Sequence, residues 1–156
     1  MSNKQKGFSL IELLIVVAII LIIAAIAIPN LMRSKMAANE ASAVASLRTL
    51  NTSVVAYQTT YNTDPANLAS LGPSSAPSST AADLVDNLLG VDPALKSGYT
   101  ISYTAVVATP ITQYTILAVP QSSSTGQRQF FTDQSGVIRQ TTDGSTPTAS
   151  SLPIGG

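Results

Sequence analysis

The sequence predicts an α+β chain, one very long N-terminal helix followed by four β-strands, and three observations predict it. After Gly7 the chain stays apolar as far as Pro29, interrupted only by Ser9 and Glu12. A 3–4-residue apolar spacing with neither Gly nor Pro then continues to Tyr61. From Tyr99 to Thr141 the period changes to two.

The apolar run comes first. It is about 21 residues, or roughly 31 Å of helix, long enough to cross the hydrocarbon core of a bilayer. It is apolar on every face, which argues against a helix packed in a soluble core. A secretory signal has some support in Lys4 and Lys6 ahead of the run and in the small-x-small site Ala25-Ile26-Ala27. A signal core is shorter, however, and carries no glutamate near its start. A plain anchor leaves Glu12 unexplained, since a carboxylate within a membrane segment costs about 2.5–3.5 kcal/mol and is by default functional.

Residues 30–61 continue the helix. Ala37, Ala41 and Ala45 form a small-residue stripe, open to two readings: alanine's helix propensity or close approach to a second helix. Val44, Leu47, Leu50, Val54, Tyr57 and Tyr61 form a larger stripe, the seam to a globular core, with Ser46, Thr49, Ser53 and Thr60 elsewhere on the wheel. Arg33, Lys35 and Glu40 read as solvated charges or as partners between subunits.

Residues 62–98 are a connector with short helices. Asp64-Pro65 predicts an N-cap and first helical position, with the helix reaching Leu71 and stopping at Gly72. The PSSAPSST segment, 73–80, is surface loop. Asp83–Leu89 reads as an amphipathic helix ended by Gly90, and Asp92-Pro93 repeats the cap before Ala94-Leu95-Lys96, closed by Gly98. Strands follow at 99–107, 113–119, 128–132 and 137–141. The last two form a hairpin about a type I turn, Asp133-Gln134-Ser135-Gly136. Phe130 and Phe131 point to opposite faces. Residues 142–156, rich in Ser, Thr, Pro and Gly, are expected to be a flexible tail.

Gly7-Phe8-Ser9-Leu10-Ile11-Glu12, behind a short basic leader and ahead of an apolar helix ending in Pro29, resembles the prepilin signature of type IV pilins and of the pseudopilins of type II secretion. The resemblance implies the pilin fold, in which a four-stranded antiparallel sheet packs on the C-terminal half of the helix. It implies that residues 1–7 are a leader, cut between Gly7 and Phe8 by a prepilin peptidase that also N-methylates Phe8. Glu12 would then serve assembly, and residues 8–29 would be the transmembrane helix and later the filament core. Further implied partners are identical or related subunits, the lipid bilayer, and an inner-membrane platform with a cytoplasmic ATPase. The N-terminus would be cytoplasmic and the head periplasmic, then displayed on a cell-surface pilus.

Phe8 and Glu12 are four apart and share a helix face, so a new amine at Phe8 can partner Glu12 on its own or a neighbouring subunit. Many relatives carry a helix-weakening glycine where this chain has Leu21. Pro29 still withholds a donor from the carbonyl of Ala25, and a helix bend is expected there.

Composition narrows the chemistry. Histidine and cysteine are absent, removing the usual general base, zinc ligand, thiolate and disulfide. Eight basic residues balance eight acidic ones, so no basic field draws nucleic acid. Asp83 with Asp86, and the Asp133–Gly136 turn, offer oxygens to a cation but read better as solvated charge and turn. Gly126 and Gly136 form no phosphate cradle. The expectation is a structural protein, not an enzyme, with no catalytic residue, cofactor or metal. A pilus subunit is the first reading and a pseudopilin the second. The third is a domain secreted after cleavage at Ala27.

Overall fold

A computed structural model describes residues 7–155 of the chain. The expected leader residues Lys4 and Lys6 lie outside the described residues. Helix α1 spans Leu10–Tyr61, 52 residues, as the spacing predicts. The chain divides into two compact units, one running to Lys35 and one from Met36 onward.

In the first unit α1 is hydrogen-bonded as helix straight through Pro29, and Ser34 Oγ donates to the Asn30 carbonyl at 3.0 Å. Its apolar side chains, Leu10 to Leu31, are exposed to solvent in the isolated chain. This is the one described helix long and apolar enough to cross a membrane.

The second unit holds a six-stranded antiparallel meander, with the strands in chain order across the sheet. These are β1 Ala94–Lys96, β2 Tyr99–Ala105, β3 Tyr114–Pro120, β4 Gln129–Asp133, β5 Arg139–Thr141 and β6 Leu152–Pro153. The register aligns Ile101, Ala118 and Phe130 in one row and Tyr103, Ile116 and Thr132 in the next. Every member of both rows is buried, and Leu47, Leu50, Val54 and Tyr57 of α1 belong to the same core. Asn51 of α1 donates to Thr132 Oγ1 at 3.0 Å. Phe131, on the opposite face, lies in a row with Leu117 and Arg139.

Six strands replace the four expected, and each added strand has a local cause. Ala94-Leu95-Lys96 is not a capped helix. Ser97 and Gly98 both take positive φ (50° and 73°), the pair a type I′ hairpin needs, and Lys96 therefore pairs with Tyr99. At the other end Leu152–Pro153 joins β5, while Ile154 N–H donates to the Ile138 carbonyl and Arg139 Nη1 to the Ser151 carbonyl. The stretch read as a tail is thus a loop with its far end paired to the sheet.

The connector also differs from expectation. Its helix is a single 3₁₀ turn, Leu68–Leu71, capped by Asn67, whose Oδ1 accepts from Ser70 N–H at 3.0 Å, and not by Asp64. Gly72 does end it. Asp83–Leu89 is no helix: Asp83 takes a φ of 56°, outside the right-handed helical region, and the N–H groups of Asp83, Leu84 and Val85 tie the segment to the carbonyls of Gly72 and Leu71. Asp86 Oδ1 then caps the N–H groups of Leu88 and Leu89 in a lone turn.

Candidate processing and assembly site

The N-terminal end of α1 is built from a Ser-x-x-Glu sequence, the spacing of a capping box. Ser9 lies just outside the helix and Glu12 in its first turn. Glu12 Oε2 accepts from Ser9 N–H at 2.9 Å, and the Ser9 carbonyl accepts from Leu13 N–H at 3.3 Å. A helix start leaves backbone donors without partners, and this contact satisfies the donor of the residue just ahead of it. The carboxylate also sits at the positive end of the helix dipole.

Phe8 is 86% exposed, and in the unprocessed chain its nitrogen is still an amide to Gly7. The structure therefore joins Glu12 to Ser9, a residue the sequence reading left without a role although its spacing to Glu12 was the available signal. A Cβ at Gly7 would meet nothing within 4 Å among the described residues. Pro29 stands within continuous helix.

Glu40 is the second carboxylate that matters, and here the structure corrects the sequence reading. It is neither solvated nor free for another subunit. Only 8% exposed, it accepts from the backbone N–H groups of Gln127 and Arg128 at 3.0 and 3.2 Å and from Arg128 Nε at 2.8 Å. Burial alone would raise its carboxyl pKa, but these three donors outweigh burial and hold it below the ordinary value. Asn39 adds a bond to the Thr125 carbonyl, so two successive α1 residues hold the β3–β4 loop. Ser46 and Ser53, expected away from the core, are buried. Their hydroxyls donate to the carbonyls of Ser42 and Leu84.

The other candidates resolve as structural. Asp133–Gly136 is a turn, with Gly136 N–H donating to the Asp133 carbonyl and Ser135 N–H to Asp133 Oδ1. Asp86 pairs with Lys96 at 3.8 Å, and Asp83 Oδ1 accepts from Ser74 N–H. Among the described residues no cluster of three or more metal-binding side chains occurs.

Residues 2–28 match the model of the prokaryotic N-terminal methylation motif. The chain is similar to the type IV wide pilus major component PilA4 of Thermus thermophilus, 42% identical over 86 residues, which are 53% of this chain and 66% of that protein. It is 34% identical over 69 residues to the competence protein ComGC of Halalkalibacterium halodurans, covering 44% of this chain and 68% of ComGC. It is 35% identical over 57 residues to the type II secretion system core protein G of Escherichia coli, covering 36% of this chain and 39% of the relative. The matches thus span between 39% and 68% of these relatives' own lengths. No solved structure matches. A long apolar helix opened by a lone carboxylate, an antiparallel head, the methylation motif and these likenesses agree: the chain belongs to the family of type IV pilins and pseudopilins, and its relatives are structural subunits and not enzymes.

Proposed function

We propose that the chain is the structural subunit of a type IV pilus. It enters the inner membrane as a prepilin with its N-terminus cytoplasmic and its head periplasmic. A peptidase cuts between Gly7 and Phe8 and methylates the new amine, and an ATPase-driven platform then polymerises the chain through α1 into a surface filament. The observation that carries this reading is the exposed apolar stretch of α1, residues 10–29, with one carboxylate, Glu12, at its tip. Such a surface needs either lipid or copies of itself around it.

Several features support the steps. No described residue packs against position 7, which supports assigning the glycine to recognition by the processing enzyme. Cleavage turns the Phe8 nitrogen into a cation just ahead of the helix start, four residues before Glu12, where the opposite charges can pair. The amine of a neighbouring subunit competes for the same carboxylate, and this second pairing acts as a register device as a subunit leaves the membrane. Pro29, which cannot donate to Ala25, is where α1 bends or opens when subunits pack.

The pseudopilin reading rests on the likeness to secretion core protein G. The match to the wide pilus component is longer, 86 residues against 57, and more identical, 42% against 35%. The stronger likeness supports the pilus reading.

Mass analysis of the mature N-terminus tests the processing. N-methyl-Phe8 is expected, and a start at Ile28 would overturn it in favour of a secreted product. Electron microscopy of sheared surface fibres, probed for this chain, separates pilus from pseudopilus. Glu12→Ala should process normally yet yield few filaments, and wild-type filament yield from that variant would remove Glu12 from assembly.

A further inference from the structure

All but one of the chain's eight side-chain carboxylates accept a hydrogen bond among the described residues. The exception is Asp64, and it is also one of the most buried, at 3% exposure. Its backbone is firmly placed: its N–H donates to the Ile111 carbonyl at 2.9 Å and its carbonyl accepts from Thr63 Oγ1 at 3.3 Å. Its side chain lines a cavity of about 420 Å³ with a buried floor that includes Tyr57 and Ser70 and an exposed rim that includes Asn67 and Thr80.

Apart from the Asn67 side-chain N–H groups, the polar side chains around it are already committed or offer oxygen. Tyr57 Oη donates to the Ser79 carbonyl at 2.6 Å, and Asn67 Oδ1 serves Ser70. No basic side chain lines the cavity among the described residues. A buried carboxylate with neither cation nor donor is costly, and burial raises the Asp64 carboxyl above its ordinary value. A divalent metal suits the cavity poorly, since calcium asks for six to eight oxygens and usually several carboxylates. One positive charge bearing several N–H donors suits it well.

The complementary groups lie on α1. Arg33, Lys35 and Arg48 are exposed and have no acidic partner among the described residues, whereas Lys96 and Arg128 are paired. We propose that the Asp64 cavity is a socket for the guanidinium or ammonium head of one of these three residues, carried by α1 of a second copy and seated only on assembly. The idea rests on the filament reading above. It adds a contact on the head, at the C-terminal end of α1, far along the chain from Glu12. Shared burial of the pair then favours neighbours whose α1 helices are staggered so that a cation meets the socket.

The test uses the full-length chain with Asp64→Asn, which keeps the shape and removes the charge. Filament yield should fall by roughly tenfold or more, the scale of losing a charge-assisted contact. The melting temperature of the detergent-solubilised subunit should stay the same or rise, because an unpartnered buried charge has gone. Arg33→Gln, Lys35→Gln and Arg48→Gln are then made singly and with Asp64→Asn. For the true partner the double variant loses no more than either single, since both remove one interaction. Wild-type yield from Asp64→Asn overturns the proposal, as does a lowered melting temperature, which marks a purely structural role. Additive losses with all three partners overturn it too. Failure of the wild-type chain itself to form fibres would instead overturn the pilus reading.

Discussion

Glu40 carries more of the head's integrity than its place in a polar stretch of α1 implies. One carboxylate closes three donors on the β3–β4 loop, and Arg128 in turn donates to Gln140 on β5 at 2.9 Å and lies over the Phe130 ring. Replacing it by glutamine leaves Arg128 without its anion and weakens every bond to the loop. We expect Glu40→Gln to cost about 2–3 kcal/mol, the scale of hydrogen bonds to a charged group, in denaturant unfolding of the full chain in detergent. The pH dependence follows from the direction of its shift. Because the folded state holds the Glu40 carboxyl below its ordinary 4.5, its contribution is complete above that value and is lost as pH falls through the lower, folded one. The variant should therefore lose stability less steeply than the wild type under acid. Asp64 acts in the opposite sense. Its raised folded value means that the isolated head gains stability from this group as pH falls toward and through that value.

At the scale of elements, the β1–β2 hairpin depends on its turn. Gly98 at φ 73° is in the left-handed region, and a Cβ there would come within 2.8 Å of Thr125 Cβ. Gly98→Ala should cost about 1–3 kcal/mol, combining strain with a clash, and thermal melts followed by circular dichroism would read it. Equal stability would mean that the turn relaxes freely. This hairpin also marks where the sequence stopped being legible. The 3.6-residue period located the second half of α1 and the two-residue period β2, because the faces of those elements have different surroundings, while the β4–β5 hairpin was legible from the turn between its strands. Ala94-Leu95-Lys96 and Leu152-Pro153 are too short to show any period, and only pairing with a neighbour makes them strands. Asp83–Leu89 fails for a related reason. Its apolar spacing suits a helix, but Asp83 takes a positive φ and the segment's first residues are tied to Leu71 and Gly72, and no local signal shows that. Within the candidate site, Glu12 stood out as a charge in an apolar run. Glu40 did not, since its loop partners lie some ninety positions away in the chain.

Over the whole molecule, the two units face different solvents. The first exposes large apolar side chains along its length, whereas all of the described core belongs to the second. A chain truncated to residues 36–156 should therefore be soluble and monomeric without detergent. It should melt within a few degrees of the full chain, with sedimentation and calorimetry as the checks. A truncated chain that aggregates or melts without cooperativity would mean that the arm contributes to the head's core.

The pairing of Leu152–Pro153 with β5 has one more consequence. It fastens the Ser- and Thr-rich loop through the ladder, the Ile154 amide and the Arg139 side chain, in a chain that contains no cysteine. A surface loop held this way is indifferent to thiols and oxidants, and after being pulled open it re-forms without an oxidoreductase. On the surface filament proposed above, that closure would survive chemistry that severs or scrambles a covalent one.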